Sequence, residues 1–123
     1  MTLNHLNLPV ADVAQTRIFF EKYFDFKCVD VKGDNVLAVL HGVNGFVLSL
    51  MSTSFNRNGN SVYPDAFHMG FLVESEDQVN AMWHRLKSDE IGLEGEPRNM
   101  RGIFGFYFYA PGNILIEIST LSN

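Results

Sequence analysis

Two histidines, His5 and His68, stand sixty-three positions apart, and a glutamate, Glu117, follows forty-nine positions after the second. Two imidazoles and one carboxylate make the ligand set of an open divalent-metal site. These donors suit Fe(II), Mn(II), Ni(II), Zn(II) or Co(II), and three protein ligands leave coordination positions for water and substrate. With neutral imidazoles the residual positive charge would bind an anionic substrate oxygen, lower the pKa of a bound water, or hold a forming enediolate or alkoxide. A lone strand histidine is ordinarily structural. What sets these two apart is that their surroundings repeat.

The first copy reads His5-Leu-Asn-Leu-Pro-Val-Ala-Asp12-Val-Ala-Gln15, and the second His68-Met-Gly-Phe-Leu-Val-Glu-Ser75-Glu-Asp-Gln78. Each histidine opens an apolar run. Asp12 or Ser75 follows as a helix N-cap, with Gln15 or Gln78 three residues further, spaced as in a capping box. Self-similarity at a fixed offset marks a repeated structural unit. The chain therefore reads as two related modules, 1–51 and 66–123, joined by a polar, turn-rich linker over 52–65, within one domain. A linker of this length has the potential to close over a pocket.

The elements follow from periodicity. Residues 2–9 alternate as a strand, and Asp12 starts a helix to about Tyr23 whose stripe is Val13, Phe20 and Phe24, flanked by Ile18, Phe19 and Tyr23. Lys27–Lys32, Asn35–His41 and Gly45–Met51 read as an antiparallel meander, with turns at Gly33-Asp34 and between Gly42 and Gly45. The second module has a strand over Phe67–Val73 and a helix after Ser75 with Val79, Met82, Trp83 and Leu86 on one stripe. Strands over Gly102–Ala110 and Ile114–Thr120 follow, joined at Pro111-Gly112-Asn113. At the repeat offset Trp83 matches Phe20, and Leu86 matches Tyr23. Each module is thus βαβββ, an α+β unit. A four-stranded sheet with a helix on one face leaves its other face bare, to be covered by the partner module or by a second chain.

Alternation selects what lies on that bare face. Leu6 and Leu8 suit the helix side, which leaves His5 with Asn7. Met69, Phe71 and Val73 suit it too, which leaves His68 with Gly70. Ile114, Ile116 and Ile118 leave Leu115, Glu117 and Ser119 opposite.

Bulk composition narrows the partners. The chain has 123 residues, 46% hydrophobic and 19% charged, with a net charge of −5 and nine scattered basic residues. No basic stripe offers itself to nucleic acid or to an acidic membrane surface. No apolar run reaches membrane-spanning length, and the single cysteine, Cys28, suits a reducing compartment, so the expectation is a cytoplasmic protein.

These residues resemble the vicinal oxygen chelate superfamily, which includes glyoxalase I, extradiol dioxygenases, fosfomycin-resistance thiol transferases and bleomycin-resistance proteins. The likeness rests on the two histidine segments above and on Phe106-Tyr-Phe-Tyr-Ala-Pro-Gly-Asn-Ile-Leu-Ile-Glu117. It implies a cup-shaped, mostly antiparallel sheet made from two βαβββ modules, with helices outside and a divalent metal held by His5, His68 and Glu117. In short members the resemblance implies a homodimer with exchanged modules. Glyoxalase I carries a fourth ligand, Glu or Gln, on the last strand of its first module; here alternation within Phe46–Met51 gives Ser49, which is neither ligand nor base. The turn Ala110-Pro-Gly-Asn113 also departs from the usual Asp-Pro-Asp-Gly.

Further candidates line the same presumed pocket: Asn7, Ser49, Tyr107 and Tyr109, with Arg98 and Arg101 near its mouth, placed to hold an anionic substrate. His41 ends a strand and is a candidate acid or base behind the ligands, although exposure is the plainer expectation; His84 reads as solvated. The implied function is a metal-dependent enzyme acting on a small oxygenated molecule, closer to dioxygenases and thiol transferases than to glyoxalase I. The alternative is a metal-free, drug-sequestering protein of the bleomycin-resistance kind.

Overall fold

The computed structural model describes residues 1–55 and 63–121. The central part of the expected linker, 56–62, lies outside the described residues, and with it the suggestion that this loop closes over a pocket. The chain divides into two compact units, Met1–Val62 and Tyr63–Asn123.

The first unit runs β1 (His5–Val10), α1 (Val13–Phe24), β2 (Lys27–Lys32), β3 (Leu37–His41) and β4 (Val47–Ser52). Its sheet order is β1-β4-β3-β2. β1 pairs with β4 in parallel, while β4, β3 and β2 form the antiparallel meander. The second unit repeats this plan with β5 (His68–Leu72), α2 (Glu76–Ser88), β6 (Arg98–Met100), β7 (Ile103–Ala110) and β8 (Ile114–Leu121), in the order β5-β8-β7-β6. Again the first strand pairs in parallel with the last. Each unit is therefore a mixed four-stranded sheet with one helix on one face.

Local chemistry explains the helix starts. Asp12 and Ser75 adopt extended backbone and accept hydrogen bonds from the Gln15 and Gln78 amides, at 2.9 and 3.2 Å. The Gln78 side chain reaches back, not to the N-cap amide of a capping box, but one residue further, to the amide of Glu74 at 2.7 Å. Under α1 lie Val13, Thr16, Phe19, Phe20 and Tyr23 against Leu8, Val10, Ala38, Leu40, Leu48 and Leu50. Under α2 lie Val79, Trp83 and Leu86 against Phe106, Phe108, Ile114, Ile116 and Ile118. Each fully buried Val, Leu, Ile or Phe among these contributes roughly 1.5–3 kcal/mol relative to exposure.

The structure corrects two points of the sequence reading. Ile18 faces solvent at 56% exposure, and Thr16 takes its place on the buried stripe. Thr16 manages this because its hydroxyl donates to the Asp12 carbonyl at 2.7 Å, so its own donor is not left unpaired. The strand that completes the second module, β6, begins at Arg98, within what reads as loop. It is short and polar, and it pairs with β7 through a two-residue turn at Arg101-Gly102, both at positive φ, 46° and 83°.

Gly105 on β7 passes so close to β8 that an added Cβ would collide with the Ile118 carbonyl and lie 2.7 Å from the Ser119 Cβ. Urea denaturation should show Asp12→Ala and Ser75→Ala each costing about 1 kcal/mol. Gly105→Ala should cost about 1–3 kcal/mol, because backbone rather than a flexible side chain must yield.

Candidate metal-binding site

In the second unit the parallel register sets His68 opposite Leu115, and Gly70 opposite Glu117. The antiparallel register sets Tyr109 opposite Leu115, and Tyr107 opposite Glu117. In-register partners point to the same side of a sheet. On the face away from α2, one rung therefore reads His68, Leu115, Tyr109 and the next Gly70, Glu117, Tyr107. The rung after that reads Leu72, Ser119, Gly105, Arg98. His68 and Glu117 are diagonal neighbours, and the residue in the corner between them, Gly70, has no side chain. A Cβ there would sit 3.7 Å from Glu117 Oε2, in ordinary contact.

Each group in this cluster is held. The Tyr107 hydroxyl donates to Glu117 Oε1 at 2.5 Å, and the Ser119 hydroxyl donates to Oε2 at 3.0 Å. Each carboxylate oxygen keeps a further lone pair. The His68 ring meets the Tyr107 ring edge-on at 5.6 Å between centroids. Its Nδ1 lies 3.0 Å from the Ala66 carbonyl oxygen, which accepts only from a protonated Nδ1, so in the neutral ring the lone pair is on Nε2. The phenol of Tyr107 is pushed above its ordinary value of 10.0, first by the hydrogen bond to Glu117 and then by burial and the nearby negative charge. Arg101 and Arg98 pull it the other way.

In the first unit His5 lies on the face away from α1, on the rung His5, Val47, His41, followed by Asn7, Ser49, Val39. Its Nδ1 is 2.6 Å from Asn4 Oδ1, the same arrangement as in His68 with a side-chain amide in place of a backbone carbonyl. Ser49 occupies the rung position that Glu117 holds in the second unit, so the two sheets are equivalent in backbone but not in charge. His41 and His84 are exposed, and His84 packs edge-on to Trp83 at 5.0 Å.

Within neither unit do three His, Cys, Asp or Glu side chains gather into a ligating group among the described residues. The second unit brings together His68, Glu117, Tyr107 and Arg98, whereas His5, Asn7 and Ser49 belong to the first. The donor chemistry fits a divalent ion: two imidazoles whose Nδ1 atoms are engaged by carbonyl oxygens, and a carboxylate fixed by two hydroxyl donors. Sequence reading missed Ser119 and Asn4 as partners. Ser119 follows Glu117 at strand period, so alternation contained its signal; Asn4 adjoins His5, and nothing in the pattern marks it. Arg101 sits at positive φ at the hairpin tip, a position suited to Asn or Gly, which costs it on the order of 1 kcal/mol.

Residues 2–118 match the Glyoxalase/Bleomycin resistance protein/Dioxygenase superfamily. The chain belongs to this superfamily. A solved structure described as a possible glyoxalase from Bacillus cereus is 42% identical, with 96% of this chain and 97% of that one covered at a TM-score of 0.82. Two more distant structures share the superfamily fold. A genomically encoded fosfomycin resistance protein from Listeria monocytogenes is 20% identical, with coverage of 98% and 93% and a TM-score of 0.76. A lactoylglutathione lyase from Agrobacterium tumefaciens is 16% identical, with coverage of 97% and 92% and a TM-score of 0.74. No curated protein matched the chain. Two βαβββ units, each with its first and last strands paired in parallel, are the architecture expected of a superfamily member.

In metal-free protein, absorbance titration at alkaline pH should show Tyr107 ionising later than an ordinary phenol. Glu117→Gln, which removes the charged acceptor, should bring that ionisation back toward the ordinary range. Because the folded-state value is raised, the associated stability is fully present below pH 10.0 and is lost as pH rises through the folded value. Wild type should therefore lose more stability than Glu117→Gln over that alkaline interval.

Proposed function

We propose that this superfamily member is a divalent-metal-dependent enzyme acting on a small oxygenated substrate, with His5, His68 and Glu117 as the metal ligands. The observation that carries the reading is the held state of the donors: each imidazole has its Nδ1 against a carbonyl oxygen, which leaves Nε2 as the ligating nitrogen of the neutral ring, and Tyr107 and Ser119 clamp Glu117. When bound, the ion supplies Lewis acidity to substrate oxygens. Tyr107 keeps its phenolic proton through the neutral range and holds the Glu117 carboxylate in one orientation. Asn7, Ser49 and Tyr109 line the substrate pocket.

The proposed ligand set takes His5 from the first module and His68 and Glu117 from the second, with the two modules counted as one domain. We place His5 of one chain with His68 and Glu117 of a second, in a homodimer with exchanged modules. Among the described residues no helix is long and apolar enough to cross a membrane; with one cysteine in the chain, we place the protein in the cytoplasm. Glyoxalase I chemistry is disfavoured because Ser49, at the position equivalent to Glu117, offers no base to move a substrate proton. Dioxygenase or thiol-transfer chemistry asks only for the three ligands.

Elemental analysis of protein purified under mild conditions should find a divalent metal, and Mn(II), Ni(II), Zn(II) or Fe(II) should raise the melting temperature of the stripped protein. His5→Ala, His68→Ala and Glu117→Ala should each abolish that shift. Tyr107→Phe should weaken metal affinity by about tenfold. No metal and no thermal shift would remove the enzyme reading. A small molecule bound equally well after both histidines are replaced by alanine would favour drug sequestration.

A further inference from the structure

The inward row of β8 reads Ile114, Ile116, Ile118 and then Thr120, a hydroxyl where the pattern calls for another aliphatic side chain. Thr120 is buried, at 4% exposure. Thr16 donates to the Asp12 carbonyl and Ser119 to Glu117, but the Thr120 hydroxyl has no hydrogen-bond partner among the described residues. It is not sealed in either. Of the described residues that are not exposed, only Arg17 has a fully enclosed side-chain polar atom left unpaired. What the Thr120 hydroxyl opens to is a cavity of about 320 Å³, which it lines together with Leu72, Val73, Glu74 and Leu121.

This cavity caps the ends of β5 and β8. The parallel register sets Leu72 beside Ser119, and the Val73 amide donates to the Ser119 carbonyl at 2.8 Å. Leu121 follows Glu117 by four residues, which is roughly 13 Å along a strand. The cavity is therefore separate from Glu117 and its two hydroxyl donors.

Its walls have two characters. Leu72 and Leu121 are left 65% and 66% exposed. Glu74 brings a carboxylate. The Glu74 amide is taken by Gln78 Oε1 at 2.7 Å, whereas its carboxylate has neither an ion pair nor a hydrogen bond among the described residues. Glu76 and Asp77 are unpaired too, but they stand in the first turn of α2, where the helix N-terminus offsets their charge. Glu74 precedes the N-cap and remains uncompensated.

An open aliphatic wall, an unpaired carboxylate and an unmet hydroxyl together suit a positively charged N–H donor on a short apolar body. An anion would be repelled, and a purely apolar molecule would leave both polar groups unmet. We infer that the cavity at the ends of β5 and β8 binds a small primary amine in its ammonium form. The ammonium donates to the Glu74 carboxylate and the Thr120 hydroxyl, and the alkyl body covers Leu72 and Leu121. The cavity volume of about 320 Å³ sits at the small end of ligand sites, about 300–1,000 Å³. None of the proposed metal ligands takes part, so this site stands or falls independently of the metal reading.

The test is a titration followed by backbone amide shifts, with n-butylammonium chloride and its neutral isostere 1-butanol as probes at matched ionic strength. In wild type the amine should give saturable shifts at Leu72, Val73, Glu74, Thr120 and Leu121, with an affinity about fivefold above that of the alcohol. Glu74→Gln should bring the amine to within about twofold of the alcohol. Thr120→Val should weaken amine binding by about threefold and melt no lower than wild type, because valine fills the same space without an unpaired hydroxyl. That combination separates loss of the site from loss of the fold. Equal affinity for amine and alcohol, shifts confined to other residues, or undiminished amine binding by Glu74→Gln would overturn the site. So would a Thr120→Val variant that melts below wild type, since the hydroxyl would then already have a partner.

Discussion

The site depends on the parallel pairing of each module's first strand with its last. β5 beside β8 makes His68 and Glu117 diagonal neighbours although forty-nine residues separate them in the chain. Side chains alternate across a sheet, so a slip of one residue in that pairing would send Glu117 among the isoleucines beneath α2 and bring Ile116 or Ile118 to the open face. The buried triplet Ile114, Ile116 and Ile118 resists that slip. Burying the isoleucines is what aims the glutamate, so the core and the site are the two faces of one strand.

The same pairing in the first unit gives the same backbone a different charge. Ser49 takes the rung that Glu117 takes in the second unit, and Val39 takes that of Tyr107. The carboxylate, its phenol donor and the arginines Arg98 and Arg101 all belong to the second module. The first contributes a histidine and small polar groups. A duplicated scaffold has thus been made asymmetric by a few outward side chains, and the inward faces, where packing decides, stayed alike. Phe20 and Trp83 are both buried at matched positions, as are Tyr23 and Leu86.

A carboxylate with a hydroxyl donor on each oxygen is restrained in rotation, and an imidazole hydrogen-bonded through one nitrogen is restrained in tautomer. Such restraint lowers the ordering cost when a ligand arrives. It also explains why Tyr107 resists ionisation, since losing its proton would set two negative groups side by side.

Helix starts, helix stripes and the inward or outward sense of most strand positions were legible in the sequence, because they rest on local periods and caps that need no distant partner. So were His5, His68 and Glu117 as outward residues. Thr16 and Ile18 exchanged roles because propensity does not register a hydroxyl satisfied by the Asp12 carbonyl. β6 escaped notice because Arg-Asn-Met has no apolar alternation; its strand character comes from pairing with β7. Alternation put Ser119 on the face of Glu117, but its hydrogen bond to the carboxylate, Asn4 behind His5 and the shared face of Arg98 and Tyr107 were decided by tertiary structure. Those relations depend on strand register and on side-chain hydrogen bonds of definite length. Composition and spacing determine which residue types lie outward; only the paired sheet determines which of them touch.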